Sequence, residues 1–373
     1  MNTNLTKEQK DYAIFLPAIS GFFATFIGKQ RREEYVDKTR IPSNFPNDVE
    51  SMNWLNPSKS IFEYNWSLYS AGHAELDVNK DAPKELMIRD RDRNTSWLLG
   101  DSGGFQIGKG VWEGDWKDPN CPKAKKKREQ VLTWMDSYMN YGMILDIPAW
   151  VSRSPAGIKA TGISSYQEAV DATRINNDYF MKNRNGNCKF LNVLQGENHA
   201  DAEDWYQQMK DYCDPKKYPG THFNGWSMGG QNMCDVHLVL KRLVALRFDG
   251  LLEKGVHDFM HFLGTSKLEW ATLLTDIQRA VRKYHNENFT ITFDCASPFL
   301  ATANGQIYCE LETSDRTKWV YRMVPSIDDK ALANDTTAFS QAFVREGKHR
   351  SFLDSPITKL SLIHISEPTR PLY

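Results

Sequence analysis

Short apolar runs rich in β-branched and aromatic residues recur along this chain at 97–99, 143–145, 190–194, 223–227, 259–263 and 289–293. Most are separated by stretches of helical periodicity, at 126–139, 166–181, 200–212 and 267–284. A strand that returns parallel to its neighbour needs a long crossover, and a helix is the usual one. Alternation of this kind predicts an α/β fold built from parallel β-α units. Weaker runs at 14–17 and 63–69 bring the strand count to eight. The prediction is a TIM-type (β/α)8 barrel over 1–330, entered through an irregular N-terminal segment. A doubly wound sheet is the alternative, but no Gly-x-Gly-x-x-Gly opens a helix, so dinucleotide binding has no support.

Composition narrows the classes. The chain has 373 residues, 40% of them hydrophobic, and no apolar run approaches the ~18 residues of a membrane helix. A soluble, cytoplasmic protein is expected. The net charge of −1 does not advertise a polyanion partner. A local basic run, Lys123-Ala124-Lys125-Lys126-Lys127-Arg128, opens a predicted helix and reads first as a solvated face. Six scattered cysteines and the lack of a secretory h-region argue against a disulfide framework. The last thirteen residues, 361–373, resemble the translation of a sequencing-library adapter, so 331–360 are expected to be a truncated C-terminal extension.

The strand ends carry the chemistry. In order they are Asp101, Asp146, Gln195-Gly196, Gly229-Gly230, Gly264 and Asp294. In a parallel barrel all of them fall on the C-terminal rim, where such folds place their active sites. The run around the first, Gly100-Asp-Ser-Gly-Gly-Phe-Gln106, has two readings. One is the serine of a trypsin-like protease. It fails, because the only histidine before Ser102 is His73, 29 residues upstream, too near for the double barrel that separates base and nucleophile.

The other reading is a base site. Several carboxylates around one pocket suit cleavage of a glycosidic bond, one as nucleophile and another as acid/base. Gln195 and the Gly229-Gly230 backbone offer neutral donors for a heterocycle carbonyl. Asp146 is suited to accept hydrogen bonds from a ring N–H and an exocyclic amine. Phe105 offers a face on which a base can stack. This set matches guanine.

Five blocks in order resemble the tRNA-guanine transglycosylase superfamily, over roughly residues 97–310. They are Asp101-Ser-Gly-Gly-Phe-Gln106, Leu145-Asp146 with Pro148, Val193-Leu-Gln-Gly196, Gly225-Trp-Ser-Met-Gly-Gly230, and Phe293-Asp-Cys-Ala-Ser-Pro298 continuing to Asn304-Gly-Gln306. The resemblance implies Asp294 as nucleophile and Asp101 as general acid/base. It implies a base held by Phe105, Gln106, Asp146, Gln195, Gly196, Gly229, Gly230 and Gly264.

The chain also departs from that pattern. Members acting on tRNA carry two arginines between the Pro and the Asn-Gly-Gln; Leu300 and Ala303 stand there here. They also carry a Cys-x-Cys-x-x-Cys and a later His that bind zinc. No cysteine follows Cys309, so no zinc subdomain and no metal or other cofactor is expected, and His349 reads as a surface residue. These departures favour the divergent branch that exchanges guanine in DNA for a 7-deazaguanine such as preQ0, with tRNA the next substrate. Two rivals stand beside it. One is an N-glycosidase that uses water as acceptor, and the other is a non-catalytic nucleic-acid-binding homologue. His199, His237 and His261 lack metal-ligand spacing and read as capped or core histidines. Trp112, Trp116 and Trp150 fall near the expected rim.

Overall fold

The computed structural model describes residues 11–33, 50–80, 85–265, 267–315 and 317–325. The proposed extension at 331–360, the adapter-like tail at 361–373 and His349 lie outside them. The chain forms two compact units.

The first unit comprises residues up to 21, 66–84 and 97–295. It is α/β, with eight strands: β1 (Ile14–Pro17), β2 (Trp66–Ser70), β3 (Trp97–Asp101), β4 (Tyr141–Met143), β5 (Lys189–Leu194), β6 (Gly225–Met228), β7 (Phe259–Phe262) and β8 (Thr290–Cys295). All pair in parallel, in the order β1-β8-β7-β6-β5-β4-β3-β2. The free edges meet at an isolated parallel bridge between Ala18 and Leu68, where Ile19 N–H donates to Leu68 O at 2.9 Å. The sheet is therefore nearly closed and barrel-like, consistent with a TIM-type barrel.

Helices return the chain between strands. They include α4 (Pro122–Tyr138), α6 (Tyr166–Asn183), α7 (His199–Met209), α8 (Val236–Phe248) and α9 (Leu268–Tyr284). The numbering counts α1 (Gly21–Glu33), α2 (Leu86–Arg89), α3 (Gly104–Gly108) and α5 (Pro155–Thr161) ahead of them. Their starts are written locally. Ser165 and Glu168 form a capping box on α6, and Asn198 and Asp235 accept backbone N–H groups at the starts of α7 and α8. Helix α8, centred on an apolar run, was not among the predicted helices. Its exposed face carries Leu240, Val244 and Phe248, which blurs the amphipathic pattern.

An aromatic layer fills the barrel at the N-terminal ends of the strands. Trp97 packs against Trp66, Tyr141 and Phe259 at centroid distances of 5.0, 5.6 and 5.0 Å. Side chains of a strand alternate between faces, so Leu99 and Asp101 follow Trp97 inward, and His261 follows Phe259. The outward faces meet the helices, as in the edge-to-face pair Phe180–Phe190 at 5.2 Å.

One predicted strand lies two residues earlier than expected. Strand β4 ends at Met143, and the chain then turns, with Asp146 N–H bonding to Ile144 O at 3.0 Å. Helix α6 holds this turn: Asn176 Nδ2 donates to Leu145 O at 2.9 Å, and Ile147 N–H donates to Thr173 Oγ1 at 2.9 Å. Apolar character alone did not distinguish a buried turn from a strand.

The second unit comprises residues 22–65, 85–96 and those from 296 on. It contains helix α10 (Ser297–Ala303) and an antiparallel hairpin of β9 (Gln306–Glu312) and β10 (Val320–Pro325). Phe23, Trp54 and Phe299 form an aromatic cluster there. Leu300 and Ala303 both lie on α10.

Candidate active site

Three carboxylates gather at the C-terminal ends of the strands, Asp146 and Asp294 buried and Asp101 partly so. Asp101 is the last residue of β3, Asp294 the penultimate residue of β8, and Asp146 lies in the turn after β4. The Asp294 charge bears on Asp101, and the Asp101 charge bears on Asp146. The sequence-predicted rim carboxylates are thus brought together.

Asp101 Oδ1 accepts the Gly103 N–H at 3.2 Å. Its carboxyl also bonds the Ser70 hydroxyl, from the register partner on β2. Burial raises its pKa and the Asp294 charge acts in the same direction; the Ser70 and Gly103 bonds and the nearby His261 partly offset them.

Asp146 and Gln195 form the neighbouring pair. Gln195 Nε2 donates to Asp146 Oδ2 at 2.7 Å, both side chains being buried. Burial lifts the Asp146 pKa to about 7; the Gln195 bond lowers it and the Asp101 charge raises it. Two glycines let the backbone approach this pair. A methyl on Gly104 would come within 2.8 Å of Asp146 O, and one on Gly229 within 2.9 Å of Gln195 Nε2. Asn232 Nδ2 ties the turn together, donating to Gln195 O and to Gly229 O, each at 3.1 Å. Gly196 O accepts the Gln231 N–H at 2.7 Å. The Gly229 N–H bonds Leu194 O at 2.8 Å, so a ligand contact from the glycine pair falls to Gly230.

Among the described residues, the hydrogen bonds to Asp294 fall on one of its oxygens. Its Oδ1 accepts the Gly264 N–H at 2.9 Å and lies 3.2 Å from His261 Nε2. The amide of Gly264, a residue expected at the base, is directed to this carboxylate.

Phe105 is the second residue of the short helix α3 and is 58% exposed. Its ring lies 6.3 Å from that of Trp150, and Lys109 Nζ sits 5.3 and 5.5 Å above the two rings. Gln106 is turned toward Gly72, where a methyl would come within 2.2 Å of its Cδ, and its Oε1 is buried with no hydrogen-bond partner among the described residues.

The remaining sequence candidates divide. Trp112 packs on Gly103 and Trp150 on Gly108, whereas Trp116 is wholly buried, its indole N–H donating to Trp112 O. In the basic run, Arg128 is buried against Tyr179 and bonds Asn120, Lys127 stacks over Trp112, and Lys123 pairs with Glu113. Much of that run is therefore structural. His199 bonds Asp235 at 2.7 Å on the surface. Among the described residues, no three His, Cys, Asp or Glu side chains are grouped so as to hold a metal ion.

Sequence reasoning missed His261, Ser70 and Thr292. Their signal was present: each is a polar residue at an inward position of a fully buried strand, where polar groups are rare unless partnered. No protein-family model matches this chain, and comparison with curated proteins finds no match either.

Proposed function

We propose that this chain, read as a TIM-type (β/α)8 enzyme, is a base-exchange transglycosylase. It replaces guanine in nucleic acid, DNA before tRNA, with a free 7-deazaguanine base such as preQ0. One observation carries the reading: Asp101 and Asp294 stand at the C-terminal ends of two strands of one barrel-like sheet, together with the buried Asp146–Gln195 pair.

The flipped guanine stacks on Phe105, with its edge read by Asp146 and its carbonyl met by Gln195 and Gly230. Asp294 Oδ2, whose partner oxygen already accepts two contacts, attacks the sugar C1′. The C1′–N9 bond breaks, its electron pair passes to the departing base, and Asp101 donates a proton to that base. The raised pKa of Asp101 supports its service as the acid. In the second half the deazaguanine gives its N9 proton to Asp101, N9 bonds C1′, and the Asp294–C1′ bond breaks. Leu300 and Ala303, where tRNA-acting relatives carry arginines, support the DNA preference.

Exchange of radiolabelled guanine into duplex DNA and into tRNA, with and without preQ0, tests the reading. The wild type should also leave a denaturation-resistant adduct with nucleic acid that Asp294→Ala does not form. Full exchange by Asp294→Ala, or release of free guanine with no need for a deazaguanine, would overturn it.

A further inference from the structure

We propose that His261 is the positioning residue for Asp294, fixing one carboxylate oxygen so that the other faces the reacting sugar. This rests on the reading of Asp294 as the nucleophile.

The side chain of His261 is completely buried, two residues along β7 from Phe259 in the aromatic layer. A buried imidazole must find partners for both nitrogens, and β8 supplies both. Thr292, its register partner, places Oγ1 2.9 Å from Nδ1. Asp294, two residues further on the same face, places Oδ1 3.2 Å from Nε2. An ionised carboxylate only accepts hydrogen bonds, so the proton on that contact belongs to Nε2. The threonine hydroxyl both donates and accepts, so it satisfies Nδ1 whether the ring is neutral or charged.

The result is a line from Thr292 through His261 to Asp294 across two adjacent strands. The Gly264 N–H reaches the same Oδ1 from the loop after β7, at 2.9 Å. Two donors on one oxygen fix both the tilt and the rotation of the carboxylate. A histidine serving only the core would need no carboxylate, and here it contacts the carboxylate read as the nucleophile. Attack at C1′ depends on alignment, where a misplacement of about 1 Å slows reaction about 100-fold.

The test uses single-turnover adduct formation with labelled guanine-containing duplex DNA and with labelled tRNA, taking whichever the wild type traps. His261→Leu should slow adduct formation at least about 10-fold and leave the half-saturating nucleic-acid concentration unchanged. His261→Gln, which keeps an N–H donor near the position of Nε2, should recover most of the rate. Thr292→Val should slow it a few-fold, and this variant and His261→Gln carry the test if His261→Leu does not fold. A wild-type rate in His261→Leu, or a loss that His261→Gln fails to recover in a folded protein, overturns the assignment of His261 alone. Trapping of neither nucleic acid by the wild type overturns the nucleophile reading and this inference together.

Discussion

Gln195 Nε2 lies 2.7 Å from Asp146 Oδ2, so a buried amide from the end of β5 holds a buried carboxylate in the turn after β4. Removing a carboxylate from water favours its protonated form, whereas a donated hydrogen bond favours the ionised one. Burial wins here, and Asp146 titrates at about 7. The pair is poised to change its acceptor character near neutrality.

Stability should report that titration. The unfolded carboxyl loses its proton near 3.8 and the folded one at about 7. Between those values the folded state binds the extra proton, so Asp146 makes stability fall as pH rises and adds no slope above about 7. Asp146→Asn should therefore be close to neutral at pH 4 and stabilising by about 2–4 kcal/mol at pH 8. Urea unfolding of both proteins at the two pH values measures this; equal stabilities at pH 8 would contradict it.

Gly229→Ala should uncouple the pair without unfolding the barrel. Gly229 has φ −115°, open to any residue, but the added methyl would meet Gln195 Nε2 at 2.9 Å. Gln195 then swings off Asp146, which loses that side-chain donor. We expect base exchange to fall at least about 10-fold and, because a buried polar group left unpaired costs about 1–3 kcal/mol, the circular dichroism melt to shift down with the fold retained. Undiminished exchange would show that the Gln195 position is not needed.

Phe105→Leu should separate binding from folding. The ring is 58% exposed, so its loss should change stability by no more than about 0.5 kcal/mol. Loss of a stacking face should weaken base or nucleic-acid binding by about 1–3 kcal/mol. Titration calorimetry with preQ0 and a thermal melt read the two effects independently.

Trp97→Ala should do the reverse, far from the carboxylates. Its ring is buried among Trp66, Tyr141 and Phe259. Emptying that layer should destabilise the protein by about 3–5 kcal/mol. Denaturant unfolding gives the loss directly, and a midpoint within error of wild type would refute the layer's role.

Strand order and the inward carboxylates were legible because β-α alternation and side-chain alternation are local patterns. The eight predicted strands all have counterparts, at 14–17 without error and elsewhere within a few residues. Asp101, Asp146 and Asp294 stood out because a carboxylate ending an apolar run has little packing reason to be there. The end of β4 was misplaced, since Asn176 and Thr173 hold the turn from a helix some thirty residues later. His261 was read as a core histidine because its partners, Thr292 and Asp294, lie on the next strand, 31 and 33 residues away.

By itself, the order of residues determined which elements form, their parallel succession and which side chains lie at the strand ends, all consequences of short-range periodicity. Only the tertiary structure decided which of those side chains meet. Register between strands far apart in sequence set Thr292, His261 and Asp294 in one line. Burial, a property of the whole barrel, lifted Asp146 to about 7. Pairing across strands and exclusion of water are collective effects, and no local run of residues encodes them.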